Sequence, residues 1–275
     1  RFNGEDAGLY RCDAVAATAS GRLLLRPLGY SMVPTGPVPN APAATPPVQV
    51  TLSEPDVDEV PAIPQVAVEL PEVAGVTFAA VATDVDDPAW FTSEERAMDF
   101  AADKRRVEWR AGRLAAKAAA MQLDDSLTPA DVTVVNEDSG KPVLHIRGAP
   151  VDVCLSLTHR DGLAIAAISQ EPLGIDLEVV EERPETWLHQ SFNESEQPLA
   201  STAMGATCLW AAKEAAFKRI GDGLRQALHA WTVQPDGQGG ATIAGPDATF
   251  GVQFFDVEGR VLAITTQAYD LTVSQ

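Results

Sequence analysis

Positive charge is scarce in this chain. Its 275 residues carry 20 Lys and Arg against 39 Asp and Glu, a formal charge of −19, which argues against nucleic acid as the partner. No Lys or Arg occurs from Pro27 to Glu95. Cysteine is scarce too. Cys12, Cys154 and Cys208 are odd in number, far apart and without metal-type pairing, so reduced thiols in a cytoplasm fit best. No apolar run reaches the length of a membrane span; the longest, near Val73 to Ala82, is interrupted by Gly75 and Thr77. The start, Arg1-Phe2-Asn3-Gly4-Glu5-Asp6, has neither a signal-peptide layout nor a Met, and the chain reads as cut from something longer. A mean hydropathy of −0.03 is that of a soluble globular protein, and the length suffices for a sizeable core.

What is present falls into three parts. Residues 1–33 read as two extended runs about a turn at Ser20-Gly21, either an N-terminal hairpin or the tail of a preceding domain. Residues 34–64 hold nine prolines and favour extended, linker-like chain. Residues 65–275 carry the main domain. There, Thr92-Ser93-Glu94-Glu95 is a capping box predicted to open one helix running to about Leu123, with Ala97, Phe100, Ala101, Val107, Ala111 and Leu114 at helical spacing. A second box, Asn193 with Glu196, opens a predicted helix to Met204, and another helix spans Cys208 to Ile220. Strands are predicted at Val73–Thr83, Val132–Val135, Val143–Ile146, Val153–Leu157, Leu163–Ser169, Gly174–Val179, Ala230–Gln234, Val252–Asp256 and Val261–Thr266.

The chain echoes itself. Arg113-Leu114-Ala115-Ala116-Lys117-Ala118-Ala119 resembles Leu209-Trp210-Ala211-Ala212-Lys213-Glu214-Ala215, and each is followed by a similar strand, Gly162–Ile168 and Arg260–Thr266. This predicts an α+β fold of two pseudo-twofold-related subdomains, each a small sheet packed on a long helix, with a ligand cleft between them. Glu214 stands where the first copy has Ala118, so one acidic centre would survive.

The chemistry concentrates in Gly174-Ile175-Asp176-Leu177-Glu178 and Trp210-Ala211-Ala212-Lys213-Glu214-Ala215-Ala216-Phe217-Lys218. On a strand Asp176 and Glu178 share one face; on a helix Glu214 and Lys218 share another, with Trp210 one turn behind. Three carboxylates and two lysines, Lys213 and Lys218, so arranged suit a hard divalent cation and a polyphosphate. An i, i+4 ion pair and a solvated strand face are the plainer readings of each half alone. Upstream, Ser156-Leu157-Thr158-His159-Arg160-Asp161-Gly162 ends a strand in a turn, Gly140-Lys141-Pro142 makes another turn, and Arg106, Arg110, Arg113 and Lys117 form a basic stripe that is either a solvated face or a phosphate contact.

Together these residues resemble the signature of the Sfp-type 4'-phosphopantetheinyl transferases, G-[IV]-D-x-E followed by W-x-x-K-E-A-x-x-K. The resemblance implies Mg2+-dependent transfer of the phosphopantetheine arm of CoA to a serine of an acyl carrier protein, releasing 3',5'-ADP. It implies Asp176, Glu178 and Glu214 as metal ligands and Glu214 as the base, and it places Lys218 at the bridging oxygen. Lys213 is left to solvent or the 3'-phosphate. Thr158, His159, Lys141, Pro142, Lys117, Arg113 and Arg106 become contacts to CoA. The loop from Glu181 to Phe192, with Arg183, Leu188 and Phe192, would flank the carrier-protein groove. The phrase Gly21–Tyr30 is similar to the closing strands of a hotdog dehydratase, which suggests a transferase integrated in a polyketide or polyunsaturated fatty acid synthase. Two alternatives remain at this point: a non-catalytic CoA-binding or carrier-docking module, and a hotdog dehydratase or thioesterase. A monomer is the expected state of this fragment.

Overall fold

The computed structural model describes residues 62–221, 228–246 and 248–265, together with the backbone of short strands between residues 2 and 32. The chain forms two units, Arg1–Asp56 and Val57–Gln275. In the first, β1 (Phe2–Asp6), β2 (Leu9–Cys12) and β5 (Tyr30–Met32) form one antiparallel sheet, and β3 (Ala16–Ala17) pairs with β4 (Leu23–Leu25). The predicted second run, Arg22 to Met32, is thus divided between β4 and β5. The turn at Ser20-Gly21 and most of the proline-rich tract lie outside the described residues.

The second unit is α+β and duplicated. Its first half runs β6 (Val76–Ala82), α1 (Ser93–Arg96), α2 (Asp103–Leu123), β7 (Val132–Asn136), β8 (Pro142–Ile146), β9 (Ala149–Pro150), β10 (Cys154–Arg160) and β11 (Leu163–Ser169). Its second runs β12 (Ile175–Val179), α3 (Glu185–Ser191), α4 (Gln197–Ala200), α5 (Ala203–Ile220), β13 (Thr232–Pro235), β14 (Gly240–Ala244), β15 (Thr249–Val257) and β16 (Arg260–Thr265). The sheet orders match: β6-β11-β10 in one half, β12-β16-β15-β14-β13 in the other. In both, the first strand pairs antiparallel with the last. The hairpins β10–β11 and β15–β16 turn through Asp161-Gly162 (φ 47° and 81°) and Glu258-Gly259 (φ 53° and 78°), the paired positive φ of a tight hairpin.

These turns move the strand match by one residue from the sequence reading. Leu163 corresponds to Arg260, not to Val261. Side chains confirm it: Ile165 and Ala167 share a cluster with Leu262 and Ile264, whereas Val261 and Ala263 face α5. A one-residue slip would put every side chain on the wrong face.

Each sheet buries one face under an alanine-rich helix. Ala115, Ala118 and Ala119 of α2 pack on Ala79, Val81 and Ala166; Ala211, Ala212 and Ala215 of α5 belong to the core with Ala263 and Val252. Phe78 and Ile165 of one half meet Ile175, Leu177 and Leu262 of the other in a third cluster, on which Val66, Val68 and Leu70 also pack. Gly174 shows how close helix and strand come: a Cβ there would lie 1.9 Å from the carbonyl oxygen of Ala215.

The predicted helix from the first capping box is broken. The box itself forms, Thr92 Oγ1 accepting from Glu95 N and Glu95 accepting from Thr92 N, but α1 ends at Arg96 and α2 starts at Asp103. The reason is Glu95, whose Oε2 lies 2.9 Å from Lys117 Nζ. In one straight helix those residues would stand about 33 Å apart. Ala97 and Ala101 are exposed as a result, and Phe100 folds back onto Trp109, ring centroids 5.2 Å apart. The helix predicted from Asn193 to Met204 is likewise only α4, because Thr202 caps a new start, accepting from Gly205 N at 3.1 Å. Helix α3 and strand β14 were not foreseen. Among the described residues no helix is long and apolar enough to cross a membrane, and Cys154 and Cys208 are free.

Candidate active site

The halves are joined by hydroxyls. Ser156 and Thr158 of β10 accept the backbone N–H groups of Ile175 and Leu177, each at 3.0 Å, and Thr158 Oγ1 donates to Asp176 Oδ1 at 3.2 Å. Thr158 is therefore occupied as a seam and an anchor for Asp176, rather than offered to an anion as expected.

Beside this seam, β12 and α5 present Asp176, Glu178, Glu214 and Lys218. Lys218 Nζ donates to Asp176 Oδ1 at 2.7 Å. Glu178 Oε1 accepts from the indole N–H of Trp210 at 3.2 Å, and its Oε2 lies 3.4 Å from Arg160 and 3.5 Å from Arg183. One oxygen of each carboxylate, Asp176 Oδ2, Glu178 Oε2 and Glu214 Oε1, is buried without a hydrogen-bond partner. Buried oxygens left so are costly. Burial pushes the Glu214 carboxyl up to about 7, with the charges of Asp176 and then Glu178 adding to the rise and Lys218 opposing it. Glu178 is also raised, by burial first and then by Asp176, against Arg160 and Arg183.

As the side chains stand, no group of three His, Cys, Asp or Glu among the described residues is gathered tightly enough to grip a metal ion. Lys218 engages Asp176 in its place. The donor set nonetheless fits a hard divalent cation: three buried carboxylate oxygens without a hydrogen-bond partner, from a strand and its facing helix.

The cluster opens into a cleft of two adjoining hollows. One, about 440 Å³, is lined by Arg105, Glu108, Trp109, His159, Asp176 and Glu178. The other, about 350 Å³, is lined by Asn136, Gly140, Lys141, Pro142, Phe217 and Gly221. Arg113, Leu157 and Lys218 line both. Arg113 is pinned by Asn136 Oδ1 at 2.8 Å and stacked over Trp109 at 4.4 Å; burial pushes it down to about 10, so it stays a cation. Lys141 packs beside Gly221, the left-handed cap of α5. His159 stands at the mouth, 3.9 Å from Glu108.

Several expected contacts fall elsewhere. Lys117 is fully buried, paired with Glu95 and donating to the carbonyls of Pro129 and Val132. Lys213 is its counterpart, fully buried and donating to Glu196 at 2.7 Å and to the carbonyls of Ser191 and Leu228. Neither has surface to offer a phosphate. Each braces a capping box, Thr92–Glu95 or Asn193–Glu196. Arg106 and Arg110 are both taken by Asp86 at 2.6 Å, Arg106 also by Asp103. Of the four-residue stripe only Arg113 reaches the cleft. Phe192 is core, not groove. The sequence reading missed Trp109, Glu108 and Asn136 as walls; Trp109 stands four residues before Arg113 on α2, the spacing that stacks them.

The duplication also shows why there is one centre. In strand register Ala79 and Val81 stand where β12 has Asp176 and Glu178, and with Ala118 they are buried apolar core.

A duplicated α+β scaffold that leads an acidic cluster and a lysine into a cleft walled by cations has the parts of a group-transfer enzyme acting on a phosphorylated ligand. Residues 93–169 match the 4'-phosphopantetheinyl transferase N-terminal domain and residues 172–272 the 4'-phosphopantetheinyl transferase superfamily. Over 88 residues the chain is 33% identical to a Holo-[acyl-carrier-protein] synthase of Geobacillus sp. (strain WCH70), an alignment covering 30% of this chain and 74% of that protein. The chain belongs to the 4'-phosphopantetheinyl transferase superfamily.

Proposed function

We propose that the protein moves 4'-phosphopantetheine from CoA to a serine of an acyl carrier protein, with Mg2+, releasing 3',5'-ADP. The observation that carries this reading is the set of three buried carboxylate oxygens without a hydrogen-bond partner, on Asp176 and Glu178 in the cleft wall beside Lys218 and on Glu214 of the facing helix. Asp176, Glu178 and Glu214 would hold Mg2+, whose charge neutralises phosphate oxygens in such a transfer. The carrier serine Oγ attacks the phosphorus bearing the pantetheine arm. The P–O bond to the nucleotide half breaks, and the serine proton passes to Glu214, which burial has brought near neutrality. A carboxylate that also serves a metal is a weaker base, and a water oriented by Glu214 is the alternative acceptor of that proton. Lys218 offsets the charge that develops on the leaving oxygen. Lys141 and Arg113, on the walls of the second hollow, take the nucleotide end, and His159 the mouth.

We place the transferase in residues 65–275, of the Sfp type, behind a linker at 34–64 and, at 1–33, an N-terminal hairpin or the tail of a preceding domain, in a cytoplasmic polyketide or polyunsaturated fatty acid synthase and as a monomer. Incubating the protein with CoA, Mg2+ and an apo carrier protein tests the activity. The carrier should gain one phosphopantetheine. CoA binding without transfer would favour a non-catalytic docking module instead.

A further inference from the structure

Glu178 closes a ring of contacts that the transfer reaction does not itself require. Its Oε1 accepts the indole N–H of Trp210 at 3.2 Å. Trp210 packs on Trp187, ring centroids 5.1 Å apart and tilted by 59°. The Arg183 guanidinium lies over Trp187, 4.9 Å from its centroid, and returns to Glu178 Oε2 at 3.5 Å. Glu181 steadies both cations, 2.8 Å from Arg183 and 2.7 Å from Arg160. The ring joins β12, the loop after it, α3 and α5. It accounts for α3, which delivers Trp187 to the back of Trp210.

The chemistry of the two kinds of partner differs. An indole N–H only donates and carries no charge, so Trp210 fixes one oxygen of Glu178 without cancelling the carboxylate. The guanidiniums stay beyond hydrogen-bond geometry on the other oxygen, which has no partner of that kind. A free glutamate side chain has three rotatable bonds and loses rotamer freedom when fixed. The ring meets that cost before any ligand arrives.

We propose that Trp210 is a positioning residue: its indole N–H aims Glu178 so that Oε2 is presented to the cation, with Trp187 and Arg183 as its buttress. The inference rests on the metal reading of Asp176, Glu178 and Glu214. Titrating the full chain with Mn2+, and counting free Mn2+ by electron paramagnetic resonance, tests it. Trp210→Phe keeps the ring and removes the N–H. It should bind Mn2+ roughly 10-fold more weakly, the usual scale for losing a group behind a metal ligand, while its melting temperature stays near that of wild type. Mg2+ should change the intrinsic tryptophan fluorescence of wild type, and that change should shrink in Trp210→Phe. An unaltered Mn2+ affinity in Trp210→Phe overturns the inference. Should that variant not fold, Trp187→Leu, which removes the uncharged ring behind Trp210, carries the test: weaker Mn2+ binding supports the buttress, and unaltered binding overturns it. A wild-type protein that binds no Mn2+ at all would instead strike down the metal reading beneath it.

Discussion

Lys218 Nζ lies 2.7 Å from Asp176 Oδ1, bringing the last turn of the second long helix against the strand that faces it. This pair ties Lys218 to Asp176, while Arg160 and Arg183 stand by Glu178, and it separates two roles that a helical spacing of four between Glu214 and Lys218 leaves merged. Lys218→Met should lower transfer by about 100-fold, the scale for losing one preorganised charge at a developing anion. Asp176→Asn should lose at least as much, since it removes the charge that faces Lys218 and that would hold the proposed Mg2+. Single-turnover rates with saturating CoA check both.

Glu214 gives a pH signature. Its carboxyl is raised from 4.5 to about 7 in the folded, metal-free protein. The unfolded chain releases that proton first, so the folded state binds more protons between those values and stability falls as pH rises through that window. The full shift corresponds to about 3 kcal/mol; partial solvent access reduces this to roughly 2 kcal/mol. Glu214→Gln should flatten the slope and be more stable than wild type near pH 7 while losing transfer. Urea unfolding from pH 4.5 to 7.5 in the presence of a chelator measures it.

The buried lysines should matter to stability and not to ligand affinity. Lys117→Met leaves Glu95 buried without its ion-pair partner, and Lys213→Met does the same to Glu196. Breaking a buried pair from one side costs about 3 to 5 kcal/mol. Pairing Lys213→Met with Glu196→Leu should restore part of the loss. Denaturant midpoints for the single and double variants decide this.

Gly174→Ala is expected to be severe for a methyl group. Its Cβ would sit 1.9 Å from Ala215 O and 2.7 Å from Arg219 N, both backbone atoms of the catalytic helix. Overpacking of this kind costs about 1 to 3 kcal/mol or more, and the helix carrying Glu214 must shift off the strand. Melting temperature and transfer rate should fall together.

Much of this was written in local patterns. A continuous apolar run marks β11, and alternation marks the strand bearing Asp176 and Glu178. What local pattern could not show is long-range satisfaction. The spacing of Ala97, Phe100 and Ala101 argues for a continuous helix, and only the tie between Glu95 and Lys117 breaks it. Lys117 and Arg106 sit on one helical stripe with Arg113, but their partners are the carbonyls of Pro129 and Val132 and the carboxylate of Asp86. A lysine in the core looks, in sequence, like a lysine in water. Duplication was the better guide: both buried lysines occupy the same place in the repeat, and Ala118 in place of Glu214 marks the half without a centre.

The most direct test is the intact mass of an apo carrier protein after incubation with this protein, CoA and Mg2+, set beside the same mixture with Glu214→Gln. A gain of one phosphopantetheine with wild type, lost with the variant and on chelation of the metal, is the outcome predicted here. A carrier left unmodified by wild type, or modified equally well by Glu214→Gln, would contradict it.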